Sequence, residues 1–310
     1  MFDNRWTNRI SFLILSAAVV MVFCLSVYAA GVPHKSFKSP EEAVKGLMEA
    51  VKAGDEKEVL AIFGPEGKEI ISSGDEIADK EVRDRFIKAY DEMSMLVKKG
   101  ANRVILAVGK DEWPFPIPIV RQKGGWSFNT RDGKEEILNR RIGKNELSAI
   151  QVCLAYVDAQ REYVLKDRDS DALLEYAQKF FSTEGKKDGL YWEAKEGEEQ
   201  SPLGPLVAKA VKEGYTSAKK PIPYHGYFYR ILKTQGKNAP GGEFDYVVKG
   251  KMIGGFALVA YPAEYGVSGV MTLIVNHNGV VYEKDLGRGT EKIASAMAKY
   301  DPDKTWKKVK

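Results

Sequence analysis

Three histidines and two cysteines are the side chains of this sequence best suited to moving protons or attacking electrophiles near neutral pH. His225 has the most suggestive surroundings, the run Tyr224-His225-Gly226-Tyr227-Phe228-Tyr229-Arg230. A histidine between tyrosines can serve as a general base or hold a ligand by stacking. An aromatic core strand with one hydrogen-bonded histidine gives the same pattern, and that packing reading is preferred. Glu264 and Asp285 are the carboxylates that could assist a His225 base in a hydrolase. His34 lies just beyond an apolar leader, and His277 precedes Asn278-Gly279, where an exposed loop residue is expected. Cys153 stands beside Leu154 in a helical stretch. A nucleophilic thiol needs a base and an electropositive setting, so the expected role of Cys153 is that of a small buried hydrophobe. No catalytic residue is assigned.

The motifs that would bind a metal or phosphate fail on inspection. Asp167-Arg168-Asp169-Ser170-Asp171 has the opening spacing of a calcium loop, but Ala172 replaces the required glycine and Gln178 the closing glutamate. It reads as a solvated helix cap. Gly266-Val267-Ser268-Gly269-Val270 misses the spacing of a nucleophile elbow and reads as a tight turn. There is no phosphate loop, dinucleotide fingerprint or H-E-x-x-H motif. Neither a cofactor nor a metal is expected. For binding, Trp113, Phe115 and Trp126 could line an apolar pocket, and Tyr224, Tyr261 and Tyr265 could serve as aromatic contact groups.

Positioning these residues requires a mixed set of elements. Ser39-Pro40-Glu41-Glu42 is a helix start, with Val44, Leu47, Met48 and Val51 as its apolar stripe and Gly54 as its stop. A second helix follows Asp55. A third is predicted over 79–97, with Val82, Phe86, Ala89, Met93 and Leu96 on one face. The period then changes to two. Residues 104–108 read as a buried strand, and the Trp113 to Ile119 alternation with prolines reads as an edge strand or ribbon with a buried aromatic face. Trp126 and Phe128 begin a return strand. A long helix is predicted over 134–166 with a break near Gly143, then another helix carrying Leu173, Tyr176, Ala177 and Phe180. Residues 182–200 read as a loop held by Leu190-Tyr191-Trp192. Beyond residue 224 the text is β, with Asn278-Gly279 as a hairpin turn and a last helix over 290–300. The expectation is an α+β protein. An N-terminal helical and meander unit, shaped like an NTF2-like cone, comes first. Central helices and a C-terminal antiparallel sheet with a terminal helix follow. The units are placed at 1–30 (signal peptide), 36–145, 146–222 and 223–310.

Composition narrows the function classes. Lys plus Arg number 47 and Asp plus Glu 43, a near balance that argues against a nucleic-acid partner. Two cysteines in 310 residues exclude a disulfide scaffold. Arg5 and Arg9 precede an apolar run over residues 10–30 that ends in Val27-Tyr28-Ala29-Ala30, the pattern of a secretory signal. Cleavage after Ala29 or Ala30 would leave no membrane span and would put the protein in the periplasm or outside the cell. An uncleaved run of this length would anchor it to the inner membrane.

Long runs of this chain resemble a known family. They are Trp113-Pro114-Phe115-Pro116-Ile117-Pro118, residues 133–147, Asp188-Gly189-Leu190-Tyr191-Trp192 and residues 255–269. Their sequences are similar to those of the exported bacterial proteins called Domain of Unknown Function 2950. The resemblance implies export and supplies no catalytic role. The last 90 residues, with Tyr227 to Leu232 and Gly255 to Pro262, are more loosely similar to the globular sheet of pilin-like proteins. The function expected from these observations is an exported binding or assembly module whose partner could be an envelope protein. Its alternatives are a carrier of a small apolar ligand and an envelope hydrolase using His225.

Overall fold

The computed structural model describes residues 34–213, 215 and 222–309. The leader expected over 10–30 lies outside the described residues. Helix α1 (Pro40–Ala53) starts where its residue types direct: the Ser39 hydroxyl accepts from the Glu42 amide at 3.2 Å, and the Glu42 carboxylate accepts from the Lys38 amide. Gly54 ends it at φ 66°. Asp55 caps α2 (Glu56–Phe63), a short 3-10 turn leads into α3 (Lys68–Ile71), and Asp75 caps α4 (Glu76–Glu92). The periodicity carries this helix to residue 97, but the chain leaves it at Met93. Met95, Leu96 and Val97 belong to β1 (Ser94–Lys98), paired with β2 (Arg103–Val108), and Val82 is 52% exposed. The antiparallel ladder supplies the backbone partners that further helix would have supplied.

Strands β3 (Trp113–Pro114), β4 (Ile119–Gln122) and β5 (Gly125–Phe128) complete the first sheet, with β4 between β2 and β5 and β3 also against β2. The prolines at 114, 116 and 118 limit β3 to two residues. Ile117, Ile119 and Phe128 are fully buried and meet α1 and α2 in the first core.

Helix α5 (Thr130–Tyr163) follows, 34 residues long and unbroken at Gly143. A Cβ at Gly143 would meet nothing within 4 Å, so this glycine costs only propensity, and burial on either side carries the helix through. The helix also runs through residue 145, where the sequence reading parts the first two units. Ile137 packs against the first core, while Ala149, Cys153, Tyr156 and Val157 are in the second. The helix expected around Leu173 to Phe180 is absent. Tertiary partners satisfy its backbone instead: Gln160 brackets both backbone groups of Ala177, and Tyr176 donates to Met252. The loop over 182–200 is held by buried Leu190 and Trp192, as the sequence suggests.

Helix α6 (Gly204–Lys212) precedes the second sheet. That sheet runs β14-β13-β12-β11-β6, all antiparallel, from β6 (Tyr227–Leu232), β11 (Ala257–Pro262), β12 (Met271–Asn276), β13 (Tyr282–Asp285) and β14 (Lys307–Lys308). Two small ribbons lie between β6 and β11: β7 (Thr234–Gln235) with β8 (Phe244–Asp245), and β9 (Val247–Val248) with β10 (Lys251–Met252). Asn278-Gly279 turns β12 into β13. The terminal helix α7 (Thr290–Ser295) stops short of residue 300, because buried Tyr300 exchanges backbone bonds with Thr234 and Gly236. The described residues thus hold seven helices and two main antiparallel sheets, an α+β fold with two cores that share α5.

Candidate functional site

His225 sits at the seam between the lobes, at φ 51°. Its Nε2 lies 3.4 Å from the Glu213 carboxylate, which also accepts from the Tyr224 hydroxyl at 3.2 Å. The Tyr224 ring is 4.1 Å from the imidazole, centroid to centroid. Burial pushes the imidazole below its ordinary value against the pull of Glu213. Behind it, Tyr215 donates to Asp75 at 2.8 Å, and the Gly226 amide donates to the same oxygen at 2.9 Å. Asp75 is 2% exposed and also accepts from the Ala78 amide at the start of α4. This network ties the first lobe to the start of β6.

Neither carboxylate expected to help His225 bonds to it; the carboxylate within reach of the imidazole is that of Glu213. The Glu264 backbone is tied to the Ser268 hydroxyl within its own loop, and Asp285 accepts from Tyr265 at 3.2 Å. Glu264 and Tyr265 line a cleft of about 550 Å³ with Glu69, Arg288 and Glu291. Tyr261 packs on Phe228 at 5.7 Å. Phe115 is set among Phe63, Phe86 and Phe128, at centroid distances of 6.3, 5.2 and 6.4 Å, so rings fill its surroundings. Trp126 exchanges backbone bonds with Phe37. Trp113 is 42% exposed under the Arg140 guanidinium rather than on a buried aromatic face. His277 is half-buried, not a free loop residue; its ring meets Tyr246 and Phe256. The Cys153 thiol is fully buried, and desolvation pushes it up to about 12, the wrong direction for a nucleophile.

A larger cleft, about 670 Å³, opens where α5 ends. Its central residue is Arg168. The guanidinium donates to the carbonyl of Tyr163, the last residue of α5, and to that of Lys166 just beyond it, and so caps the helix. It lies 4.3 Å from the centre of the Tyr163 ring and 5.5 Å from that of Trp192. The side chain is only 8% exposed, and its Nε has no partner among the described residues. Its remaining bond goes to Glu199 at 3.2 Å, where Lys166 at 2.9 Å and Lys187 at 3.0 Å also converge. Hydrogen bonds from Lys166 and Lys187, with the Arg168 charge, hold the Glu199 carboxyl at about 2. The backbone oxygen of Glu199 accepts from the Trp192 indole, which fastens the loop.

The failed calcium motif forms another part of this cleft. Carboxylate oxygens of Asp167, Asp169 and Asp171 lie within 4.8 Å of one another. Lys251 reaches into the group, bonding Asp169, Asp171 and Glu175, and these bonds raise its own proton affinity. Asp167 is held low by the Ala172 and Ser170 amides. The Lys251 ammonium thus offsets part of the group's charge, on the side of Asp169, Asp171 and Glu175.

A family model described as "Protein of unknown function (DUF2950)" matches residues 34–309. The chain belongs to that family. No curated protein and no solved structure matches it. The family match spans every described residue, so the seam at His225 and the cleft at Arg168 both lie within the DUF2950 region. Among the described residues no helix is long and apolar enough to cross a membrane.

Sequence reasoning missed Glu213 and Tyr215, which meet His225 directly, and Asp75, which reaches them through Tyr215 and through Gly226, 151 positions away. Arg168 was hidden by its acidic neighbours.

Proposed function

We propose that this DUF2950 protein is an exported, envelope-associated protein that acts by binding rather than by catalysis. Its ligand enters the cleft at the end of α5. The observation that carries this reading is the composition of that cleft. A buried, aromatic-backed arginine and charges of both signs surround about 670 Å³, with no thiol, histidine or hydroxyl nucleophile placed beside a base in its lining. Export is supported by the Arg-led apolar run over 10–30, which ends in small residues. N-terminal sequencing of the secreted or periplasmic fraction is expected to start at residue 30 or 31; an intact Met1 in the cytosol overturns export.

The binding role is tested by isolating the protein from native envelopes under gentle conditions and weighing the complex by native mass spectrometry. A small ligand is expected with the wild type. It is lost in the double variant Lys166→Glu, Lys187→Glu, whose two side chains lie at the surface of the cleft. A ligand retained equally by both proteins overturns the assignment of the cleft.

A second reading, an envelope hydrolase with His225 as base, is favoured by the 3.4 Å contact to Glu213. It requires a hydrolytic activity that His225→Asn abolishes while leaving the fold intact.

A further inference from the structure

We infer that the ligand of the α5 cleft is a zwitterion, an amino acid or short peptide bearing a free ammonium group and a free carboxylate. This inference rests on the binding role proposed above and adds the chemical class.

The cleft is divided by charge. Lys166, Arg168, Lys186 and Lys187 line it with a single carboxylate, Glu199, among them. The other group on the lining is Asp167, Asp169 and Glu175, with Asp171 beside them, and among the described residues the cation that answers it is Lys251. Asp188 does not alter the division, since Lys179 pairs with it at 2.7 Å. Each group keeps several charges of its own sign unmatched. A simple anion is drawn to one and repelled by the other, and a simple cation meets the reverse. Only a ligand that carries both signs satisfies both at once.

Arg168 makes the cationic group specific. Its ring contacts and its cap on the helix end fix the guanidinium, so little freedom is lost on binding. Its buried Nε–H has no acceptor among the described residues, while its terminal nitrogens are bonded to the Tyr163 and Lys166 carbonyls and to Glu199. A ligand carboxylate supplies that acceptor. The opposite group already holds an ammonium, that of Lys251, against three carboxylates, which shows the geometry it favours. Among the described residues no lysine pairs with Asp167, which turns both oxygens to backbone amides and leaves its charge for an incoming cation.

The test is calorimetric titration of the protein, at low salt, with three probes: dialanine, N-acetyl-dialanine and dialanine amide. Dialanine is expected to bind, and removing either charge is expected to weaken binding about tenfold or more. Lys187→Gln and Asp169→Asn, both at exposed positions, are each expected to weaken dialanine by a similar factor. Lys57→Gln on α2 leaves it unchanged. Equal binding of dialanine and either capped form, with loss in Lys187→Gln, overturns the zwitterion and leaves the cleft as a binding site. Absence of binding by all three probes also overturns it, and the native-envelope experiment then decides separately whether the cleft holds something else. Dialanine binding that neither pole variant alters overturns the assignment of the poles.

Discussion

At the scale of single residues, burial rather than reactivity governs the groups that looked most chemical. Desolvation holds the His225 imidazole below its ordinary value, so the folded chain favours the neutral ring. A group with a depressed folded value of this kind leaves stability intact above its ordinary value near 6.5. It then withdraws stability as pH falls through that value toward the lowered one. The thermal midpoint is therefore expected to drop between pH 7 and pH 5. His225→Asn, which suits the positive φ, should reduce that drop. Some of it remains, because His277 is shifted in the same direction by its own burial. A slope unchanged by the substitution would remove His225 from the account. Cys153 gives a second check: its peptide should resist a thiol-labelling reagent at pH 8 in the native protein and react fully in denaturant.

At the scale of elements, two glycines of α5 behave oppositely. A Cβ at Gly133 would come within 2.6 Å of the Pro116 carbonyl, where the proline ribbon crosses the helix. Gly133→Ala is expected to cost about 2 kcal/mol through this overlap. Gly143→Ala meets open space and should stabilise the protein by about 0.5–1 kcal/mol, the propensity difference in a helix interior. Chemical denaturation of the two variants reads both signs. The elements that the sequence made legible were those whose local signals agreed with their tertiary surroundings. The capping box at Ser39, the turn at Asn278-Gly279 and the alternation before Phe128 are examples. The failures came where a distant partner decided. The end of α4 was set by β2, the irregular path around Ala177 by the Gln160 side chain, and the short α7 by the pairing of Tyr300 with Thr234. The same applies to the cleft. Its charges were visible as a calcium-like string, but Trp192 and Glu199, which give it depth, come from a loop whose path no local periodicity reveals.

For the molecule as a whole, the two cores are joined by α5 and by the bonds that converge on Asp75. Asp75 caps α4 in one lobe while accepting from Tyr215 and Gly226 in the other. Asp75→Ala removes the cap and strands two buried donors, and a loss of about 3 kcal/mol is expected. Unfolding of the wild type should be a single transition by both far-ultraviolet and aromatic circular dichroism. Two separated transitions in Asp75→Ala would show that this carboxylate couples the lobes; a single transition in the variant would leave the coupling to α5 alone.

The shared shaft also governs how the protein can be taken apart. A cut at residue 145 would leave the first fragment with a frayed stub of α5 and the second with the remainder of the helix, residues 146–163, begun without a cap. A fragment ending at residue 163 would carry Ala149, Val152, Tyr156 and Val157 as a greasy stripe with nothing to rest on. Neither half should be recoverable as a well-behaved soluble piece, whereas two fragments produced together could reassemble around the one helix.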